Sequence, residues 1–220
     1  MQRTRLLVGL CIAAIAFGGC GGRRGADSRD DMVVQERADG TRIAVRPGRD
    51  PNAAYIQATE LKAKGDCTTA ITLLRPVARL GPGYENAQMA LGECLVANGT
   101  EREEGLTWLT RAADAGWPEA QASLAAYFGG TTTRNNEEAA YWLALYDMNP
   151  SKARVGFRAP DAAVLGAVRG SLSEPEKAAG QRRAAVWERK LWLPPAGDAD
   201  GPGLKPEGRA RGGFRPPLEH

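Results

Sequence analysis

Two stretches of this chain superimpose at a fixed spacing, and that repetition narrows the folds open to it more than any other feature. Gly105, Trp108 and Leu109 are matched 34 residues later by Ala139, Trp142 and Leu143. A further copy precedes them: Ala70 matches Gly105, Leu74 matches Leu109, Ala78 matches Ala113 and Gly81 matches Gly116. A period in the mid-thirties, carried by small residues and large apolar ones, is the signature of stacked helical hairpins. One hairpin cannot bury its apolar face alone, so neighbours stack and share a continuous core. Arrays of this kind present an extended surface suited to holding another molecule.

Local signals divide the chain into helices. Asp50-Pro51 starts the first, Asp50 as cap and Pro51 in the first turn, and Gly65 stops it. Asp66 caps a second helix over 67–80, which Pro76 should bend or break near Arg75. Gly81-Pro82-Gly83 is a turn. A third helix covers 85–98 and ends at Gly99. Thr100-Glu101-Arg102-Glu103 reads as a capping box for a fourth, which runs to Ala115 with Gly116 as its stop. Pro118 opens a fifth over 118–128, and a sixth runs from Asn136 to just before Pro150. A short seventh over 161–169 and a long eighth over 174–191 close the array, the last capped by Ser173-Glu174-Pro175-Glu176. Upstream, Asp39-Gly40 between two β-leaning runs in 33–45 signals a hairpin, though a lone hairpin is marginally stable.

The first six helices pair into three hairpins. On their first helices Ala58, Gly92 and Ala125 correspond as small residues, and Leu61, Leu95 and Phe128 as large ones three positions on. The small residue lets the partner helix approach, and the large one fills the space beside it. Trp108 and Trp142, on second helices, should pack between adjacent hairpins. The blocks 87–92, 108–121 and 138–143 resemble the Sel-one-like repeat, a relative of the tetratricopeptide repeat. The resemblance spans 53–149 and departs at Leu61 and Leu95, where that family carries an aromatic. It implies an all-α fold, a right-handed α-solenoid of about three hairpins plus two closing helices. By the same resemblance the first helices line a concave groove. Counting from the matched positions puts Tyr55, Thr59, Lys62, Met89, Glu93, Val96 and Ala126 there. This mixed lining suits a protein or peptide segment.

The N-terminus reads as a targeting segment. Arg3 and Arg5 precede an apolar run over 6–17, too short to span a bilayer. Phe17-Gly18-Gly19-Cys20 resembles the lipobox of bacterial lipoproteins, with Phe17 where Leu is usual. The resemblance implies cleavage before Cys20, lipidation of its thiol and a mature chain held by more than one acyl chain. The other reading is an ordinary signal peptide with Cys20 as a bystander. Gly21 rather than Asp after the cysteine points to the outer membrane by the enteric sorting pattern. The expected organisation is a signal over 1–19, a tether over 20–50, helical repeats over 51–193 and a disordered Pro/Gly-rich tail over 194–220.

Composition excludes several functions. Without Arg3 and Arg5 the formal net charge of +3 falls to +1, and no basic face is evident, so nucleic acid is not expected. The only histidine is His220, so no metal site, cofactor or nucleophile–base set is expected and the chain reads as non-catalytic. Glu101, Glu103 and Glu104 read as helix N-terminal charges that complement the macrodipole. With Cys11 in the signal and Cys20 assigned to lipid, Cys67 and Cys94 remain, either as a disulfide of an exported protein or as two small buried thiols. Cys67 starts one helix and Cys94 lies late in the next, antiparallel one, which favours the bond. The chain is thus expected to be a lipid-anchored scaffold at the periplasmic face, holding an envelope protein of a secretion, pilus, flagellar or cell-wall complex. The alternative is an accessory of an envelope polysaccharide export system, which exposed aromatics along the groove would favour.

Overall fold

A computed structural model describes residues 33–36, 42–45 and 49–195. The expected signal segment over 1–19, Cys20, the expected turn at Asp39-Gly40 and residues 196–220 lie outside the described residues. Two strands, β1 (Val33–Glu36) and β2 (Arg42–Val45), pair antiparallel with Val33 opposite Val45. Eight helices follow: α1 (Pro51–Ala63), α2 (Cys67–Ala78), α3 (Glu85–Asn98), α4 (Arg102–Asp114), α5 (Pro118–Gly129), α6 (Asn136–Met148), α7 (Ala162–Ser171) and α8 (Glu174–Ala185). The fold is therefore all-α apart from the β-pair. Among the described residues no helix is long and apolar enough to cross a membrane.

Helix ends follow local chemistry. The Asp66 carboxylate accepts the Thr69 amide at 3.0 Å, satisfying a donor that the first turn of α2 leaves free. Ser173 and Glu176 form the expected capping box, with the Ser173 amide donating to Glu176 at 2.7 Å. Gly99 and Gly116 sit at φ +77° and +84° after α3 and α4, where a β-carbon would be strained. Three other expectations are corrected. Asp50 precedes α1 but makes no side-chain cap. Pro76 lies in the last turn of α2, which runs on to Ala78 without a break at Arg75. No capping box forms at Thr100; Glu101 is the residue before α4 and makes no cap bond. Glu101 and Glu104 pair instead with Arg75 of α2, Glu101 at 3.1 Å. With Glu101 at the cap position, Glu103 no longer stands three residues after the cap, and the Arg75 guanidinium fork holds the two carboxylates that flank the first turn.

Consecutive helices are joined by short turns and pack as neighbours, α1 on α2 through α5 on α6. One core collects Ala54, Ala58, Leu61, Leu73, Leu74, Leu91 and Leu95 with Trp108. The other collects Leu109, Leu124, Ala125, Trp142, Leu143, Leu165 and Val168. Val33 of the β-pair rests against the first core. Trp108 and Trp142 are each only 4% exposed, as expected of residues packed between hairpins. Fully burying a leucine such as Leu91 contributes about 1.5–3 kcal/mol.

The small residues act as anticipated. A β-carbon at Gly92 would stand 2.6 Å from the Gly105 carbonyl oxygen, and one at Gly105 would stand 2.8 Å from the Gly92 oxygen. Backbone therefore touches backbone where α3 crosses α4. Gly180 of α8 lies equally close to Ala140 of α6. A second recurring contact carried no signal beyond its repeated residue. Gln88 and Gln121, both buried, donate their amides to the carbonyls of Ala78 and Ala113 at 3.2 and 3.1 Å. These are acceptors near the ends of α2 and α4, where carbonyls run short of helical donors; the Ala113 carbonyl also accepts the Gly116 amide at 3.0 Å. Asn149 at the end of α6 completes the network, donating to Gln121 at 2.8 Å and to the Gly116 carbonyl at 3.0 Å.

The C-terminal helix is shorter than expected. α8 ends at Ala185, and residues 187–195 leave it as a strap that returns across α4. The Lys190 amide donates to the Asp114 carbonyl at 2.8 Å, and Arg189 donates to the Ala115 carbonyl at 2.8 Å. Trp187 rests near Gly116, Trp192 against Trp108, and Pro194 beside Gly81. The helical pattern fails here because the apolar partners of Trp187 and Trp192 stand on another helix. Pro194, the first residue of the expected tail, is packed beside Gly81.

Candidate docking face

The proposed groove residues belong to three helices, α1, α3 and α5. The structure joins Lys62 of α1, Glu93 of α3 and Ser123 of α5 into one row. The Lys62 ammonium pairs with one Glu93 oxygen, and Ser123 donates to the other at 2.6 Å. Each first helix contributes one member. The row does not use equivalent repeat positions. Counted from the small residues Ala58, Gly92 and Ala125, its members lie four after, one after and two before. The row steps back about one turn per helix, as expected when helices pack ridge into groove at an angle and not in register. Ser123 escaped the sequence reading for that reason: equivalence pointed to Ala126 instead.

Tyr55 marks one end of the face. It is half-buried, burial holds its phenol above the usual value, and a hydrogen bond with the Asn86 side chain opposes that shift. Arg158, Lys62 and Glu119 are the charges it senses. Glu119, in the first turn of α5, is gripped by Arg154 through both oxygens at 2.6 and 2.7 Å and accepts the Arg158 amide at 3.2 Å. Arg154 also lies 4.0 Å over the Trp117 ring. The segment after α6 thus folds back onto the start of α5. Glu119 lies in a block that carries the repeat resemblance but was not assigned to the face, and Arg154 and Arg158 reach it through an irregular connection that no repeat pattern encodes.

The remaining proposed residues differ in exposure and role. Thr59 is half-buried on α1, and its hydroxyl donates to the Ile56 carbonyl at 2.8 Å. Ala126 is half-buried on α5. Met89 and Val96 pack against the α4–α6 core and serve the interior as much as the face. Val96 in particular fills the space beside Gly105. Away from the face, Cys67 and Cys94 come together, their Cα atoms 5.1 Å apart and their sulfurs at bonding distance, tying the start of α2 to α3. Among the described residues no group of three His, Cys, Asp or Glu could hold a metal ion.

No family model, curated protein or solved structure matches the chain.

Proposed function

We propose that this chain is a lipid-anchored, non-catalytic scaffold of the bacterial envelope. In this reading its helices form a right-handed α-solenoid of Sel-one-like hairpins, α1–α2, α3–α4 and α5–α6, closed by α7 and α8. The face of α1, α3 and α5 holds an extended protein segment of an envelope assembly. Two contacts support the architecture: the glycines at the α3–α4 crossing, and the recurring glutamines on carbonyls near the ends of α2 and α4. The observation that carries the docking role is the Lys62–Glu93–Ser123 row, which runs across all three first helices. It lays alternating donors and acceptors along a line that an extended backbone can follow. Among its proposed residues the face carries a single aromatic, the half-buried Tyr55. That favours a protein partner over an envelope polysaccharide.

The test uses the lipidated full chain recovered from envelopes, with co-purifying proteins identified by mass spectrometry. Wild type should bring down a defined set, and a folded K62A/E93A/S123A variant should lose it. Retention of that set by the triple variant would sink the docking face. Anchoring is checked separately by labelling with a palmitate analogue. Label should enter wild type and vanish in Cys20→Ser; a wild-type chain without lipid would remove the anchor from this reading.

A further inference from the structure

The strap over 187–195 is bound in the manner of a peptide ligand. It forms neither helix nor strand, and its contacts fall on α4 and on the turns after α2 and α4. Its side chains alternate. Trp192 and Pro194 face the array, while Leu191 and Leu193 are 48% and 70% exposed. Trp192 meets Trp108 edge-on, ring centroids 5.3 Å apart. The Arg111 guanidinium is held by both rings, 4.4 Å from the Trp108 centroid and 4.3 Å from that of Trp192. Two residues on, Pro194 reaches Gly81 so closely that a β-carbon there would stand 2.8 Å from the proline ring. Pro194 and Pro195 fix their own φ, and a residue before proline is driven to extended backbone, so the segment is pre-shaped for a shallow aromatic cleft.

The hold is slight for a permanent element. Among the described residues, the strap backbone beyond Trp187 makes one hydrogen bond to the array, Lys190 to Asp114. Trp192 itself is only half-buried. Segments with few buried contacts and solvated backbone open at low free energy. The receptor side, by contrast, is buried and hydrogen-bonded. Trp108 is 4% exposed and its indole N–H donates to Glu104 at 3.0 Å.

We propose that Gly81, Trp108, Arg111 and the Asp114 carbonyl form a docking site for an extended peptide of the pattern aromatic–x–Pro, and that Trp192-Leu193-Pro194 fills it in cis. A partner carrying the same pattern engages when the strap lifts. The site is distinct from the Lys62–Glu93–Ser123 row and does not rest on it.

The experiment uses the full chain and a fluorescein-labelled synthetic peptide spanning residues 187–195, with binding followed by anisotropy. W192A/P194A should bind it saturably and at least tenfold more tightly than wild type. Adding R111A, or replacing the Trp192 equivalent in the peptide by alanine, should abolish that binding. Equal binding to wild type and W192A/P194A, or none to the folded double variant, overturns the proposal. So does unfolding of the double variant, which would make the strap a structural part. An independent readout is hydrogen exchange of wild type. The Lys190 amide should exchange at least a hundredfold faster than that of Leu109 in α4. Equal protection would mean that the strap opens only with the whole fold, and the proposal fails.

Discussion

Replacing Gly92 by alanine tests the packing argument because two effects oppose each other. In an exposed helix interior, glycine to alanine stabilises by about 0.8–1.0 kcal/mol through backbone entropy. At Gly92 the new methyl would lie 2.6 Å from the Gly105 oxygen, 2.7 Å from the Leu109 Cγ and 2.9 Å from the Leu109 amide nitrogen. Two of these three atoms are backbone, so relief requires α3 and α4 to separate and not merely a side chain to turn. Overpacking of this kind costs about 1–3 kcal/mol, and the backbone contacts place it in the upper half of that range. The net expectation is a loss of about 1–2 kcal/mol, or a drop in melting temperature of about 2–8 °C for a domain of this size. Gly166 in α7 is the control, since a β-carbon there meets nothing within 4 Å. Gly166→Ala should be neutral or stabilising by up to about 1 kcal/mol. Urea midpoints of both variants, measured oxidised, decide the matter. A Gly92→Ala variant as stable as wild type would refute the close crossing of α3 on α4.

Three further outcomes are expected. Trp108→Ala should lower stability by about 3–5 kcal/mol in thermal melts, since it empties a buried indole site; a loss under about 1 kcal/mol would contradict its burial. Intact-mass measurement of exported protein should show two hydrogens fewer than after reduction, because Cys67 and Cys94 bond; the bond closes a separation of 27 residues, and reduction should cost about 3.5 kcal/mol in the chain-entropy model. The hydrogen bond from Arg75 holds the Glu104 carboxyl below its ordinary value, so its contribution is present above about pH 4.5 and is lost as pH falls through the folded value. Glu104→Gln should therefore flatten the acid limb of a stability–pH curve, and an unchanged limb would refute the linkage.

The helical elements were legible because local rules decide them. Glycines after α1, α3 and α4, prolines at the starts of α1, α5 and α8, and the period in the thirties require no knowledge of neighbours. The small residues at the α3–α4 crossing were legible for the same reason, since a repeated small position implies close approach in any hairpin. The capping expectation at Thr100 failed because α4 starts one residue later, with Glu101 at the cap position, and Glu101 and Glu104 bind Arg75 across a helix interface that no local pattern encodes.

The docking face divides along the same line. Sequence placed Lys62 and Glu93 on first helices, and repeat equivalence could do that much. Which residues touch depends on how far one helix is shifted and tilted against the next, so Ser123 entered the row and Ala126 did not. The strap shows the limit most clearly. Trp187 and Trp192 follow α8 in the chain and could have extended its apolar pattern. Instead, Gly116, Trp108 and Arg111 draw them onto α4, far back in the sequence. A periodic pattern reports which side of an element is apolar, because backbone geometry sets the period. It carries no information on which distant surface will cover that side, because that choice is a contest among contacts made only once the chain has folded.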